Sequence, residues 1–451
     1  MRREPTPTTA PGPTQTVPGL TQTVPGPAST VPGTAETVPG LTRTTAHPAK
    51  TLPDPVDTAP GRAGTAPHPA PSVPDPAQTA RADASPRPAG TRPRPATAVP
   101  RPARTVPVPP RADASAGVTA VAHPNIALVK YWGKRDEGLI LPWTDSLSMT
   151  LDVFPTTTRV RLDAAAGRDE VTLDGVPATG EAARRVTAFL QLVRERAGST
   201  RRAVVDSRNT VPTGAGLASS ASGFAALAVA AAAAYGLELD ATGLSRLARR
   251  GSGSASRSVF GGFAVWHAGP SGATGAAADA GSYAEPVPAA GLDPALVVAV
   301  LDAGPKTVSS REAMRRTVDT SPLYRPWADS SRADLADMRA ALGRGDLEAV
   351  GEIAERNALG MHATMLAARP AVRYLSPATV TVLDRVLQLR REGIAAHATM
   401  DAGPNVKVLC RRADARRVAA ALAETVPSAR VLVAGPGPAA RLLDETDGAA
   451  R

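Results

Sequence analysis

Twenty-seven of the 45 prolines lie in the first 115 residues, and this crowding limits what the chain can fold into more than any other feature. Each proline removes a backbone donor and fixes φ, so neither helices nor sheet interiors can form through such a stretch. The same segment repeats "TVPG" at 16, 23, 30 and 37. A seven-residue period usually announces a coiled coil, but a Pro and a Gly in every period exclude one. None of the 14 aromatic residues falls here. Without apolar bulk, ordering entropy goes unrepaid, so residues 1–115 are expected to be disordered and locally extended. The folded part then begins near Gly117 and has about 330 residues, enough for two compact lobes.

The net charge of +10 is shared between the two materials. The first 115 residues carry 12 Lys/Arg and 7 Asp/Glu, and the remainder carries 39 and 34, so each contributes +5. Spread over the folded part that surplus is mild, and with no basic cluster or stacking aromatics no nucleic-acid partner is expected. The single cysteine, Cys410, excludes an internal disulfide and a cysteine-based zinc site. The first residues lack the apolar core of a secretory signal. Residues 209–237 are uncharged but consist mainly of Ala, Ser and Gly, which fits a buried helix better than a bilayer span. No membrane partner and a cytoplasmic location are expected.

From Gly117 onward, strands are predicted at 117–122, 146–154, 157–164 and 170–175, then an amphipathic helix over 180–198. A strand "RAVVDSRN" leads to a glycine turn and a helix from Leu217 to Tyr235. A further helix, "ATGLSRLARR", precedes the strand "VFGGFAVWH". Beyond residue 294 come a strand at 295–303 and helices at 309–320, 331–343, 346–366 and 376–392. Strands at 393–400 and 405–410, a helix at 412–424 and a strand at 429–434 complete the reading. Strands and helices mix without regular βαβ alternation, giving an α+β fold. The expected lobes are 116–285 and 286–440, with a flexible end at 441–451.

Four stretches carry chemistry. In "PTGAGLASSA" (Pro212, Thr213, Gly214, Ala215, Gly216, Leu217, Ala218, Ser219, Ser220, Ala221), two glycines allow close ligand approach before a helix N-terminus. Unpaired N–H groups there bind phosphate oxygens without a lysine, and the serines add hydroxyls for phosphate or Mg²⁺. A plain Pro-Gly turn with serine caps is the competing reading. In "KYWGK", Lys130, Tyr131, Trp132, Gly133 and Lys134 bracket a turn with two cations and a phenol, suited to a polyanion. Snorkelling surface lysines are the alternative. In "SGSASR", Ser252, Gly253, Ser254, Ala255 and Ser256 lead to Arg257, a set that forms a carboxylate or phosphate pocket unless it is only a linker. Asp401 ends a strand before Gly403-Pro404, where a carboxylate faces a cleft or simply makes a turn. No histidine pair has metal-ligating helical spacing.

Taken in order, "NIALVKYWGKRD", "PTGAGLASSASGFAAL", "GSGSASRSVFGGF", "VSSREAMRRTVDTS" and "DAGPN" resemble the motifs of the diphosphomevalonate decarboxylase family in the GHMP kinase superfamily. The likeness covers roughly Val118 to Ala434. It implies a two-lobed α+β fold with the site in the cleft, commonly a homodimer, using ATP and Mg²⁺. The implied reaction is decarboxylation of (R)-5-diphosphomevalonate to isopentenyl diphosphate, CO₂, ADP and phosphate. Carried over by position, Pro212 to Ala221 form the ATP phosphate loop. Tyr131 to Lys134, Ser252 to Arg257, Ser310 and Arg311 hold the substrate, and Lys130 and Asp401 are catalytic. Ser256 stands where many eukaryotic relatives have Cys. Two other readings stand beside this one: a related mevalonate or phosphomevalonate kinase or decarboxylase, and a catalytically silent binding or regulatory protein of the same fold.

Overall fold

The computed structural model describes residues 117–210, 219–302, 304 and 308–444. The proline-rich stretch expected to be disordered, and Pro212 to Ala218 of the expected phosphate loop, lie outside the described residues.

The chain opens with β1 (Val118–Ala122), β2 (Asn125–Val129), the hairpin β3 (Lys134–Asp136) and β4 (Leu141–Pro142), β5 (Ser146–Thr150) and β6 (Thr156–Asp163). Next come β7 (Glu170–Leu173), β8 (Val176–Pro177), α1 (Gly180–Ala197), β9 (Arg202–Asn209), α2 (Ser219–Ala234), α3 (Ala241–Gly251) and the short α4 (Ala255–Ser258). β10 (Phe263–Trp266), α5 (Gly275–Gly281), β11 (Ala284–Val287) and β12 (Pro294–Val300) lead to α6 (Ser310–Thr320), α7 (Tyr324–Arg344), α8 (Leu347–Leu366) and α9 (Pro377–Arg391). The last elements are β13 (Ala396–Met400), β14 (Val406–Arg411), α10 (Ala415–Thr425), β15 (Arg430–Ala434) and β16 (Arg441–Leu442).

These strands form three larger sheets, in the orders β16-β1-β6-β9-β7-β8, β11-β10-β5-β2 and β13-β14-β12-β15. Only the β7–β9 pair is parallel among them. The mixture is the expected α+β class. Arg441 and Leu442, expected within a flexible end, instead pair with β1, and the Leu443 N–H donates to the Thr119 carbonyl.

The uncharged run becomes α2, which lies on β6 and β1 and buries Ala225 to Ala232 in a cluster with Phe189, Leu190 and Phe224. The sheet covers one side of this helix and α3 and α4 pack against others, so it is buried all round and lacks an amphipathic pattern. Among the described residues no helix is long and apolar enough to cross a membrane.

β12 is buried on both faces, as expected of a central strand with a continuous apolar run. Leu296, Val298 and Val300 face the cluster built by α7, α8 and β5, whereas Ala295, Val297 and Ala299 face that of α9 and α10. The same alternation governs its neighbours. Ala396, Ala398 and Met400 of β13 and Val406, Val408 and Cys410 of β14 join the α9–α10 side. Thr399 and its cross-strand partner Lys407 are therefore turned to the opposite face.

Candidate active site

β2 is buried along its whole length, and where it leaves its sheet the chain presents Lys130. The backbone N–H of Lys130 donates to Asn357 Oδ1 on α8 at 2.8 Å. Its ammonium donates to the Ala127 carbonyl at 2.8 Å and to Asp401 Oδ1 at 2.8 Å. Asp401 directly follows β13, in a turn fastened to α9 because Thr379 Oγ1 donates to the Pro404 carbonyl. On its other side, Lys407 Nζ of β14 lies 3.2 Å from Asp401 Oδ2. The two lysine side chains keep 2% of their surface exposed, against 30% for the carboxylate. One partly exposed acid, its Oδ2 buried, thus lies between two sealed ammoniums.

The electrostatics follow from this packing. Burial pushes the Lys130 ammonium down from 10.5 to about 8, with Asp401 resisting. Burial alone would raise Asp401, but Lys130 and Lys407 outweigh it and hold the carboxyl well below the usual carboxylate range. His362 of α8 is buried and pushed down to about 4, first by burial and then by Lys130.

Arg257 sits nearby on α4, 2% exposed. Its Nε donates to Ser148 Oγ at 2.9 Å, one terminal nitrogen to Ser146 Oγ at 2.5 Å and the other to Asn125 Oδ1 at 3.2 Å. Asn125 is oriented in turn by donating to Ser258 Oγ and the Ser254 carbonyl. All three of these partners are neutral, so the guanidinium is desolvated without a contacting carboxylate, which burial reflects by lowering it to about 10. Lys130, Lys407 and Arg257 against Asp401 leave an inward-facing surplus of positive charge. An anionic ligand resolves that surplus.

The aromatic wall depends on one glycine. Tyr131 stands edge-on to Trp266 with centroids 4.7 Å apart. A Cβ on Gly253 would lie 2.8 Å from Trp266 and 2.9 Å from Tyr131, so only glycine fits beneath these rings.

The other expected substrate residues divide. Ser252 and Ser254 join a hydroxyl chain in which Ser220 Oγ is 3.3 Å from Ser252 Oγ, itself 3.4 Å from Ser254 Oγ. Ala255 is core, and Ser256 is fully buried with its hydroxyl donated to the Gly253 carbonyl, so neither offers a group to a ligand. Trp132 packs into the cluster of Tyr324, Trp327, Met361 and Met365 and backs the site rather than lining it. Gly133 has φ +95° at the turn. The Lys134 ammonium is held by Glu137. Ser310 opens α6, and Arg311 is exposed and paired at 3.1 Å with Glu181 of α1, not with the Lys130–Asp401 pair.

Next to the start of α2 a cavity of about 160 Å³ is lined by Thr158, Ser207, Asn209, Ser220, Gly223 and Phe224, among others. Ala221 is buried behind it. Ser220 therefore belongs both to this cavity and to the hydroxyl chain that runs toward Arg257.

Two family models match this chain: the diphosphomevalonate decarboxylase-like N-terminal domain over residues 122–278 and the mevalonate 5-diphosphate decarboxylase C-terminal domain over 296–435. Diphosphomevalonate decarboxylase from Homo sapiens is 36% identical over 65% of this chain and 76% of that protein. The chain belongs to the diphosphomevalonate decarboxylase family. Phosphomevalonate decarboxylase from Haloferax volcanii is 33% identical over 73% of this chain and 98% of its own. Among solved structures, mevalonate diphosphate decarboxylase from Enterococcus faecalis is 44% identical, covering 73% of this chain and 99% of that one with a TM-score of 0.68. A structure of MDDEF in complex with MVAPP, AMPPCP and magnesium matches at 45% identity with the same coverage and a TM-score of 0.69.

Within this family frame, several site residues had escaped sequence reasoning. Ser146 and Ser148 read as ordinary residues of the strand 146–154, and Asn125 carried no signal of its own, yet the three hold Arg257. Lys407 sits in "NVKV", where a lysine at an alternate strand position usually marks a solvated face. Its only sequence-level signal is that Val406, Val408, Leu409 and Cys410 around it are apolar.

Proposed function

We propose that this chain catalyses the ATP-dependent decarboxylation of (R)-5-diphosphomevalonate, releasing isopentenyl diphosphate, CO₂, ADP and phosphate. The observation that carries the reading is the partly exposed Asp401 carboxylate held between two buried ammoniums, beside a buried Arg257 whose direct partners are all neutral. Such a surface recognises a polyanion while offering one acid to a hydroxyl.

The 3-hydroxyl of the substrate is tertiary and a poor leaving group. Transfer of the terminal phosphoryl of ATP forms a new O–P bond at that oxygen and breaks the bond to ADP, while the hydroxyl proton passes to an oxygen of the transferred phosphoryl group. Departure of phosphate then builds positive charge at C3. The C1–C2 bond breaks, CO₂ leaves, and its electron pair becomes the C2–C3 double bond. Asp401 is held ionised between its two lysines. It accepts the hydroxyl's hydrogen bond, fixes its direction and lowers the energy of the cation beside it. Lys130 neutralises the transferring phosphoryl group. Preorganised charge of this kind contributes about 3–4 kcal/mol per interaction, and phosphoryl transfer needs chiefly positioning and neutralisation.

The cavity beside α2 suits the nucleotide base, with Ser207 and Asn209 supplying polar groups and Phe224 an apolar wall. Among the described residues no group of three His, Cys, Asp or Glu could hold a metal, so Mg²⁺ is expected to arrive with the triphosphate and meet the Ser220 hydroxyl. It would neutralise phosphate charge there. Arg257 and Tyr131 are assigned to the diphosphate and carboxylate of the substrate, with Ser252, Ser254, Ser310 and Arg311 completing that surface.

Purified chain with ATP, Mg²⁺ and diphosphomevalonate is expected to release CO₂ and ADP in equal amounts. ADP without CO₂ would make it a kinase, and neither product would make it a binding protein. The Haloferax volcanii relative motivates the monophosphate as the competing substrate, so the same assay on it decides the substrate's phosphorylation state. Division into lobes at 116–285 and 286–440 is supported by the two family-model spans. A cytoplasmic homodimer is the remaining implication of the family, tested by sedimentation of the purified chain.

A further inference from the structure

We infer that Lys407 is a positioning residue for the decarboxylation: from β14 it serves as the resident counter-ion of Asp401, holding that carboxylate oriented and ionised while Lys130 turns its charge to the phosphoryl group. The inference rests on the decarboxylase reading above and adds a residue and a division of labour to it.

The geometry separates the two lysines. Lys130 stands where β2 ends, on Oδ1 at 2.8 Å. Lys407 rises from within a strand paired on both sides, to β13 and β12, and approaches Oδ2 at 3.2 Å. Each oxygen of one carboxylate thus has its own ammonium. A buried ammonium costs several kcal/mol to desolvate, and the fold does not ask for it at this position. Leu409, two residues along on the same face, makes ordinary apolar contacts, so a hydrophobic residue at 407 would satisfy the sheet.

The reaction makes unequal demands on the pair. As phosphoryl transfer proceeds, the phosphate oxygens attract the Lys130 ammonium, which sits at a strand end. An Asp401 paired with Lys130 alone would then lose its counter-ion just when a cation develops at C3, and protonation or rotation would remove its benefit. Lys407, on a central strand, cannot follow the phosphate. The other charged or titratable groups around Asp401 do not substitute for it. Arg257 is engaged by Ser146, Ser148 and Asn125, and His362 of α8 is buried and held neutral, so it offers Asp401 no positive charge.

The test compares Lys407→Met, which keeps length and removes charge, with Lys407→Arg, which keeps charge. Each is assayed for CO₂ release from pH 5 to 9, with KM for both substrates. The Met variant is expected to lose kcat by about 100-fold at pH 7, with the KM for ATP within about twofold of wild type. Its acid limb should move toward neutrality, because an Asp401 with one ammonium removed protonates more readily. Lys407→Arg should recover a tenth or more of kcat with the limb in place. In an Asp401→Asn background, Lys407→Met should cost nothing further. A Met variant with more than half of wild-type kcat and an unmoved limb would overturn the inference, as would a full additional loss in the Asp401→Asn background. Should Lys407→Met fail to fold, Lys407→Gln takes its place; failure of both while Lys407→Arg melts like wild type assigns the charge to folding and also overturns it. Wild-type protein that releases no CO₂ sinks the decarboxylase reading instead, so the two failures are distinguishable.

Discussion

Asn357 Oδ1 accepts the backbone N–H of Lys130 at 2.8 Å, across 227 positions of sequence. The same amide donates to Ser331 Oγ at 2.9 Å and to Asp334 Oδ2 at 2.8 Å. One buried side chain on α8 therefore fixes the backbone that carries Lys130 and ties it to α7. Asn357→Ala would leave a buried N–H without its acceptor and a carboxylate oxygen without its donor. The expected cost is about 2–3 kcal/mol of stability, read by urea unfolding, with kcat reduced about tenfold as Lys130 loses its backbone anchor. A variant that is destabilised but fully active would show that Lys130 is placed by its side-chain contacts alone.

Gly133 makes a different demand. With φ +95°, a Cβ there would lie 2.1 Å from the Tyr324 hydroxyl, which donates to the Trp132 carbonyl at 2.9 Å. Gly133→Ala is expected to cost more than about 2 kcal/mol, combining backbone strain with the displaced tyrosine. Gly223 of α2 is the contrast: nothing lies within 4 Å of a Cβ added to it. Gly223→Ala should raise stability by about 0.5–1 kcal/mol through helix propensity, while its methyl intrudes on the cavity and raises the KM for ATP. Equal melting temperatures for the two variants would refute the contrast.

The glycine and charge motifs announced the site, but its assembly was legible only in part. Lys130 read as functional because it belongs to two cations and a phenol around a glycine turn, and Asp401 because it ends a strand before Gly403-Pro404; the fold brings them together. β2 was not read as a strand because "NIALV" is buried on both faces and shows no alternation. α7 was expected to start at 331 but begins at Tyr324. Pro326 hid that start, although a proline in the first turn lacks only an N–H that would be unpaired there anyway. Lys407 could not be recognised in the sequence because its burial depends on α8 covering that face of the sheet, a long-range fact. Arg311 carried a motif, yet its partner Glu181 lies 130 positions earlier, and no local pattern signals such a pairing.

His362 gives the site a pH signature in stability. Its folded pKa of about 4 is below the unfolded value of 6.5, because burial and then Lys130 disfavour the imidazolium. Between those values the unfolded chain binds a proton that the native chain does not. Stability from this group is complete above about pH 6.5 and is lost as pH falls toward 4, by roughly 3 kcal/mol in all. His123 and His397 are lowered in the same direction, so the informative comparison is with His362→Gln. That variant should show a shallower decline in its urea midpoint from pH 6.5 to 4. An identical slope would mean that His362 is not the group held neutral.

Arg311 and Glu181 supply the remaining prediction. Both are largely exposed and their side chains meet at 3.1 Å, joining α6 to α1. Glu181 also pairs with Arg184 at 3.0 Å, so it has a second cation if Arg311 leaves. If Arg311 serves the substrate's anionic groups, it must first release Glu181, and that exchange weakens binding without touching the chemical step. Glu181→Gln removes the competitor. Because exposed ion pairs are weak, the KM for the diphosphorylated substrate is expected to fall by a factor of about two to five, with kcat and the KM for ATP unchanged. Raising the salt concentration should narrow the variant's advantage over wild type, since the competing pair is screened. A Glu181→Gln enzyme with a higher KM would mean that Glu181 orients Arg311 for binding, reversing the sign of the contact's contribution.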